Sequence, residues 1–221
     1  METLELNDLL ENQDKRLKIK RLWIVVFFFF LITLPVGYYI WIRSHKNDLL
    51  MIERDEWGAK EPIEREFLNL PATTVVICHT ATGPCETKAA CIRQMQTLQD
   101  FHMNSQFRYD ISLNFLVGGD GEIYEGRGWD VKAQHLNGDG SVSISIAFIG
   151  TFSNVEPPAR QVDAAKRLML EGVRRGKLHQ DYRVYGHRQF QPTESPGQKL
   201  YELIKQWPRW STIIKHISTI P

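Results

Sequence analysis

The sequence predicts an α/β domain preceded by one membrane-spanning helix, and three observations lead there. Residues 22–42 form an uncharged run of twenty-one, short apolar or alternating stretches beyond it mark strands, and three segments between and after those strands have helical spacing. The whole chain of 221 residues carries 27 Lys and Arg against 26 Asp and Glu. A net charge of +1 gives no basic excess for neutralising phosphates, so no nucleic-acid partner is expected. Mean hydropathy of −0.31 is that of an ordinary soluble protein and averages away the apolar run.

The run LWIVVFFFFLITLPVGYYIWI is long enough for a bilayer core of about 30 Å, and no small-residue cleavage site follows it. Trp23 at one end and Tyr38, Tyr39 and Trp41 at the other suit the two interfacial aromatic belts. Lys15, Arg16, Lys18, Lys20 and Arg21 precede the run, and Arg43 and Lys46 follow it. The positive-inside rule then keeps the N-terminus in the cytoplasm, giving a type II protein of the plasma membrane with its C-terminal part outside. The expected organisation is a cytoplasmic tail over 1–21, a signal-anchor helix over 22–42, a juxtamembrane linker over 43–51, one domain over 52–211 and a C-terminal tail over 212–221.

Within that domain, strands are predicted at Thr74 to His79, Leu113 to Val117, Ile123 to Glu125 and Val142 to Ile149. Gly118-Gly119-Asp120-Gly121 between two of them reads as a hairpin turn. Helices are predicted at Lys88 to His102 (Ile92, Met95 and Leu98 on one face), Gln161 to Gly176 and Gln198 to Trp207, with Gly176 and Pro208 as stops. Cys85 and Cys91 lie six apart in CETKAAC, in a compartment that the topology makes oxidising, and are expected to pair; Cys78 is left as a half-buried thiol.

Several segments together then resemble one family: DEWGAKEP (55–62), VVICHTAT (75–82), CETKAAC, NFLVGGDGEIYEGRGW (114–129), IAFIGTF (146–152), YGHRQFQPTESPGQKLY (185–201) and WPRW (207–210). From about residue 52 to 211 the chain resembles the peptidoglycan recognition protein domain, which is related to the bacteriophage-type zinc N-acetylmuramoyl-L-alanine amidases. The resemblance implies a single amidase-like domain with a central mixed β-sheet, three helices and a peptidoglycan groove. It also implies a catalytic zinc on two histidines and a cysteine, but only His187 matches as it stands. Cys78 occupies the position of the first histidine, Ser195 that of the cysteine, and Leu113 that of a catalytic tyrosine, while Thr193 is retained. A serine hydroxyl is a poor zinc ligand and leucine donates no hydrogen bond, so no metal, no cofactor and no catalysis are expected.

The groove positions of the family fall on His79 with Thr80, His102 and His135. Arg127, in EGRGW, matches the arginine that pairs with the extra carboxylate of diaminopimelic acid peptides, whereas Phe107-Arg108 replace a Gly-Trp pair and are expected to alter the peptide end of the groove. The reading is a receptor or regulator of the non-catalytic, membrane-anchored long type found in insects, its partners bacterial peptidoglycan or muropeptide and other recognition ectodomains. Two alternatives stand beside it: a zinc amidase with an irregular site, and a co-receptor or decoy that pairs with related domains without binding peptidoglycan.

Overall fold

The computed structural model describes residues 51–136 and 142–213, with Leu49 and the positions Trp23, Phe27, Phe29, Leu31, Thr33 and Leu34. The chain divides into two compact units, 1–48 and 49–221. In the first unit the described positions are helical. No helix among the described residues is long and apolar enough to cross a membrane. The expected tail 1–21, the greater part of the span 22–42 and most of the C-terminal segment lie outside the described residues.

The second unit is built on a six-stranded mixed sheet. In chain order its strands are β1 (Met51–Ile52), β2 (Ala72–His79), β3 (Phe115–Val117), β4 (Ile123–Glu125), β5 (Ser143–Phe148) and β6 (Leu178–Gly186); across the sheet the order is β1-β4-β3-β5-β2-β6. The β3–β4 hairpin is antiparallel and every other pairing is parallel. The helices are α1 (Lys88–Asp100), α2 (Ala159–Arg174) and α3 (Gln198–Ile204). A mixed sheet with three helices is the architecture expected from the resemblance.

Alternation along β2 sorts the layers. Val75 and Ile77 enter one core with Phe115, Ile146 and Phe148 and with Ala165 and Leu168 of α2 and Leu200 and Ile204 of α3. Val76 and Cys78 point the other way, into a second core with Leu116 and Ala147 and with Cys91, Met95 and Leu98 of α1. Burial on both faces explains why β2 and β5 read as nearly continuous apolar runs.

The expected hairpin turn forms at Gly118–Gly121: Gly118 N–H donates to Glu122 O at 3.0 Å, and Gly121 takes a φ of +90° that favours glycine. Cys85 and Cys91 form a disulfide beside the start of α1, where Thr87 Oγ1 accepts from Ala90 N at 3.3 Å and caps the helix.

Several boundaries differ from expectation, most by one to three residues. The first helix stops at Asp100 and continues as a π-turn over Phe101–Ser105, so His102 sits on the wider turn. The strand expected from Leu113 begins at Phe115, because Leu113 and Asn114 carbonyls accept instead from Arg127, Gly126 and Gly128 N–H groups. Helix α2 starts at Ala159, one turn before its apolar face begins, and α3 ends at Ile204 although Trp207 beyond it still packs in the core. Strand β6 was not predicted: His179, Gln180, Asp181 and Arg183 are exposed along it and break the apolar pattern.

Candidate functional site

Strands β2 and β6 run parallel, so their C-terminal ends bring His79 and His187 to one edge of the sheet on the side of α1. Ligands of sheets with parallel strands favour this end, where loops leave the backbone. A groove of about 330 Å³ opens there. It gathers residues far apart in sequence: Cys78, His79 and Thr80 from the end of β2, His102 and Arg108 from the turn after α1, and Ser112 and Leu113 before β3. Gln134 and His135 come from the loop after β4, and His187, Gln191, Thr193 and Ser195 from the segment after β6. Thus every residue expected in the groove or at the degenerate zinc position is brought together, with one exception.

That exception is Arg127. Its side chain is buried, its Nε donates to Ile111 O at 2.7 Å, one terminal nitrogen to Lys132 O at 2.9 Å and the other to Gln134 Oε1. It lines a different cavity, of about 280 Å³, with Arg54 and Asp110. Arg127, expected on the groove, thus lies beside it, held by two backbone carbonyls and by the Gln134 side chain, and it is Gln134 that lines the groove. Arg108, expected with Phe107 to alter the peptide end of the groove, lines it.

The histidines of the groove are held neutral. Burial lowers His79 and His187, takes His102 down to about 4 and takes His135 down to about 3. Positive charge from Arg108 and Arg127 adds to the effect at His102. Their hydrogen bonds set the roles. His102 Nδ1 accepts from Ser112 N at 3.1 Å and His79 Nδ1 from Phe152 N at 3.3 Å. His187 Nε2 donates to His135 O at 3.1 Å, and the two rings lie tilted with centroids 5.4 Å apart. Among the described residues, neither ring nitrogen of His135 has a hydrogen-bond partner, nor does the buried hydroxyl of Ser112. Orphan buried polar atoms carry a desolvation cost that a polar ligand relieves.

The zinc positions do not fit a catalytic metal. Cys78 is 2% exposed, its Sγ faces Val76 O at 3.7 Å, and burial pushes its thiol up to about 12, far from the thiolate a metal needs. Ser195 Oγ accepts from His79 N at 3.1 Å, and His187 Nε2 is turned to a carbonyl. Among the described residues no group of three His, Cys, Asp or Glu could hold a metal ion. Leu113, buried at the groove wall, supplies no hydrogen-bond donor there.

Comparison with known proteins agrees with this geometry. Residues 68–198 match the family model described as N-acetylmuramoyl-L-alanine amidase. A peptidoglycan recognition protein of Trichoplusia ni is 41% identical over 161 residues, covering 73% of this chain and 88% of that protein. Peptidoglycan-recognition protein SC2 of Drosophila melanogaster is 42% identical over 160 residues, covering 72% and 87%. Among solved structures, the ectodomain complex of peptidoglycan recognition proteins LCa and LCx bound to tracheal cytotoxin superposes with a TM-score of 0.74 at 46% identity, covering 75% of this chain and 100% of that one. Peptidoglycan recognition protein LE in complex with tracheal cytotoxin, a monomeric diaminopimelic acid-type peptidoglycan, gives 0.73 at 43%, covering 74% and 96%. With an amidase sheet, a groove at the ends of its parallel strands and relatives at this level of identity along the whole domain, the chain belongs to the peptidoglycan recognition protein family.

Proposed function

We propose that this protein recognises bacterial peptidoglycan without cleaving it, as a receptor or regulator anchored in the plasma membrane by residues 22–42 with its recognition domain outside the cell. One observation carries the non-catalytic part: the positions of the zinc ligands hold a buried neutral thiol and a hydroxyl engaged by backbone. Binding is supported by the groove itself, whose neutral histidines and orphan donors and acceptors suit a polar glycan-peptide stem. A related structure holding a diaminopimelic acid-type fragment indicates the ligand class. Anchoring rests on the uncharged run and on the five cations before it against two after.

Calorimetric titration of the full-length chain with a monomeric diaminopimelic acid-type muropeptide, together with zinc analysis and chromatography of the reacted fragment, tests this reading. Saturable binding without stoichiometric zinc or released peptide supports it. Cleavage with one zinc per chain returns the amidase, and absence of binding returns the pairing module. The pairing reading has its own support, since one related structure is tracheal cytotoxin bound to a complex of two recognition-protein ectodomains.

A further inference from the structure

Among the described residues lining the groove, Arg108 is the one side chain with a fixed charge, and no carboxylate faces it there. The histidines around it are neutral near pH 7, so they neither compete with nor reinforce that charge. Its Nε is buried and has no hydrogen-bond partner among the described residues. A guanidinium left with a buried unsatisfied donor pays a desolvation penalty unless an acceptor arrives.

The backbone before it is strained in a way that places it. The π-turn closes with Gln106 N–H donating to Phe101 O at 3.2 Å; Phe107 then takes a φ of +54°, and Arg108 N–H donates to His102 O at 2.9 Å. A left-handed residue after a helix is ordinarily glycine or asparagine, because a Cβ there crowds the backbone. Phe107 gains no burial in return, since it is 85% exposed. Strain held at a groove rim with no packing gain is a mark of a functional constraint, and its visible consequence is the inward turn at Arg108.

We infer that Arg108 is the specificity-determining cation of this groove and receives a carboxylate of the peptide stem. A planar guanidinium whose Nε lacks a partner among the described residues can donate paired hydrogen bonds to a carboxylate. The assignment rests on the muropeptide reading above and narrows it: the stem must carry at least one free carboxylate at the end of the groove near His102.

Two muropeptides, one with free stem carboxylates and one with the same carboxylates amidated, are titrated into the full-length chain, its Arg108→Ala variant and its Arg108→Lys variant. A charge-assisted pair corresponds to a loss of about 10–100-fold in affinity of Arg108→Ala for the free stem, against less than about threefold for the amidated one. Arg108→Lys recovers part of the difference. Equal losses for both stems, or none for either, overturn the assignment while leaving peptidoglycan recognition intact. A wild-type chain that binds neither stem overturns the muropeptide reading and this assignment with it. Thermal melting of the variants separates misfolding from lost contact, as no fall in midpoint is expected when a buried unsatisfied donor is removed.

Discussion

Single residues decide whether this fold can cut its ligand. Cys78 and Ser195 flank His79 and His187 where a zinc would need a histidine and a thiolate, and burial of Cys78 keeps its proton on. The triple variant Cys78→His, Ser195→Cys, Leu113→Tyr is therefore expected to bind one zinc per chain and to release peptide from a muropeptide, as measured by metal analysis and chromatography; the wild type is expected to do neither. Phe107→Gly relieves left-handed strain without removing packing, and should raise stability by up to about 1 kcal/mol in urea denaturation. Arg127→Gln, by contrast, leaves the carbonyls of Ile111 and Lys132 without their donor. Its expected signature is a loss of about 1–3 kcal/mol in stability, with no selective effect on charged stems. The histidines make stability depend on pH with a definite sign. His102 and His135 have folded values of about 4 and about 3, below the 6.5 of an exposed histidine, so between those values the unfolded chain binds more protons than the folded one. Stability is unaffected by these two groups above pH 6.5 and falls as pH drops through 6.5 toward 4, each contributing at most about 1.4 kcal/mol per pH unit. Denaturation midpoints between pH 7 and pH 4.5 measure it, and His102→Gln should flatten the slope.

At the scale of elements, the groove depends on how loops are tied to the sheet. Asn114 at the entry to β3 is fully buried: its N–H donates to Ser145 Oγ at 2.8 Å, its Oδ1 accepts from Ser145 N at 2.9 Å, and its Nδ2 donates to Gly128 O and Val131 O. This one side chain joins β3, β5 and the loop that leads to His135 on the groove. Asn114→Ala leaves several of these groups unpaired in the core, so about 2–4 kcal/mol of stability should be lost, read by urea denaturation, with weaker ligand binding by calorimetry. At the opposite end of α1, the Thr87 cap and the Cys85–Cys91 disulfide act on the same turn. Both cysteines are buried beside Met95 in the core facing α1, so the bridge also fills space there. The helix then delivers His102 through a π-turn, a wider coil that no 3.6-residue periodicity would reveal.

For the whole molecule, most of the second unit was legible in the sequence, because burial imposes a period. Strands β2, β4 and β5, the glycine hairpin, the three helices and the disulfide lie where apolar patterning and cysteine spacing put them, to within a turn at the ends. The edge strand β6 was not legible, because only one strand partner and one apolar flank constrain it and its polar residues face solvent. The gathering of His79, His102, His135 and His187 followed from matched motifs rather than from any local pattern, and the groove contains all four. Apolar patterning alone determined the fold class, and the family was legible through the resemblance that the matched motifs carry. Which arginine lines the groove was decided only in three dimensions. Arg108 and Arg127 both sit in loops, where sequence period carries no direction; carbonyls of Ile111 and Lys132 draw one side chain inward, and a left-handed turn at Phe107 aims the other into the groove.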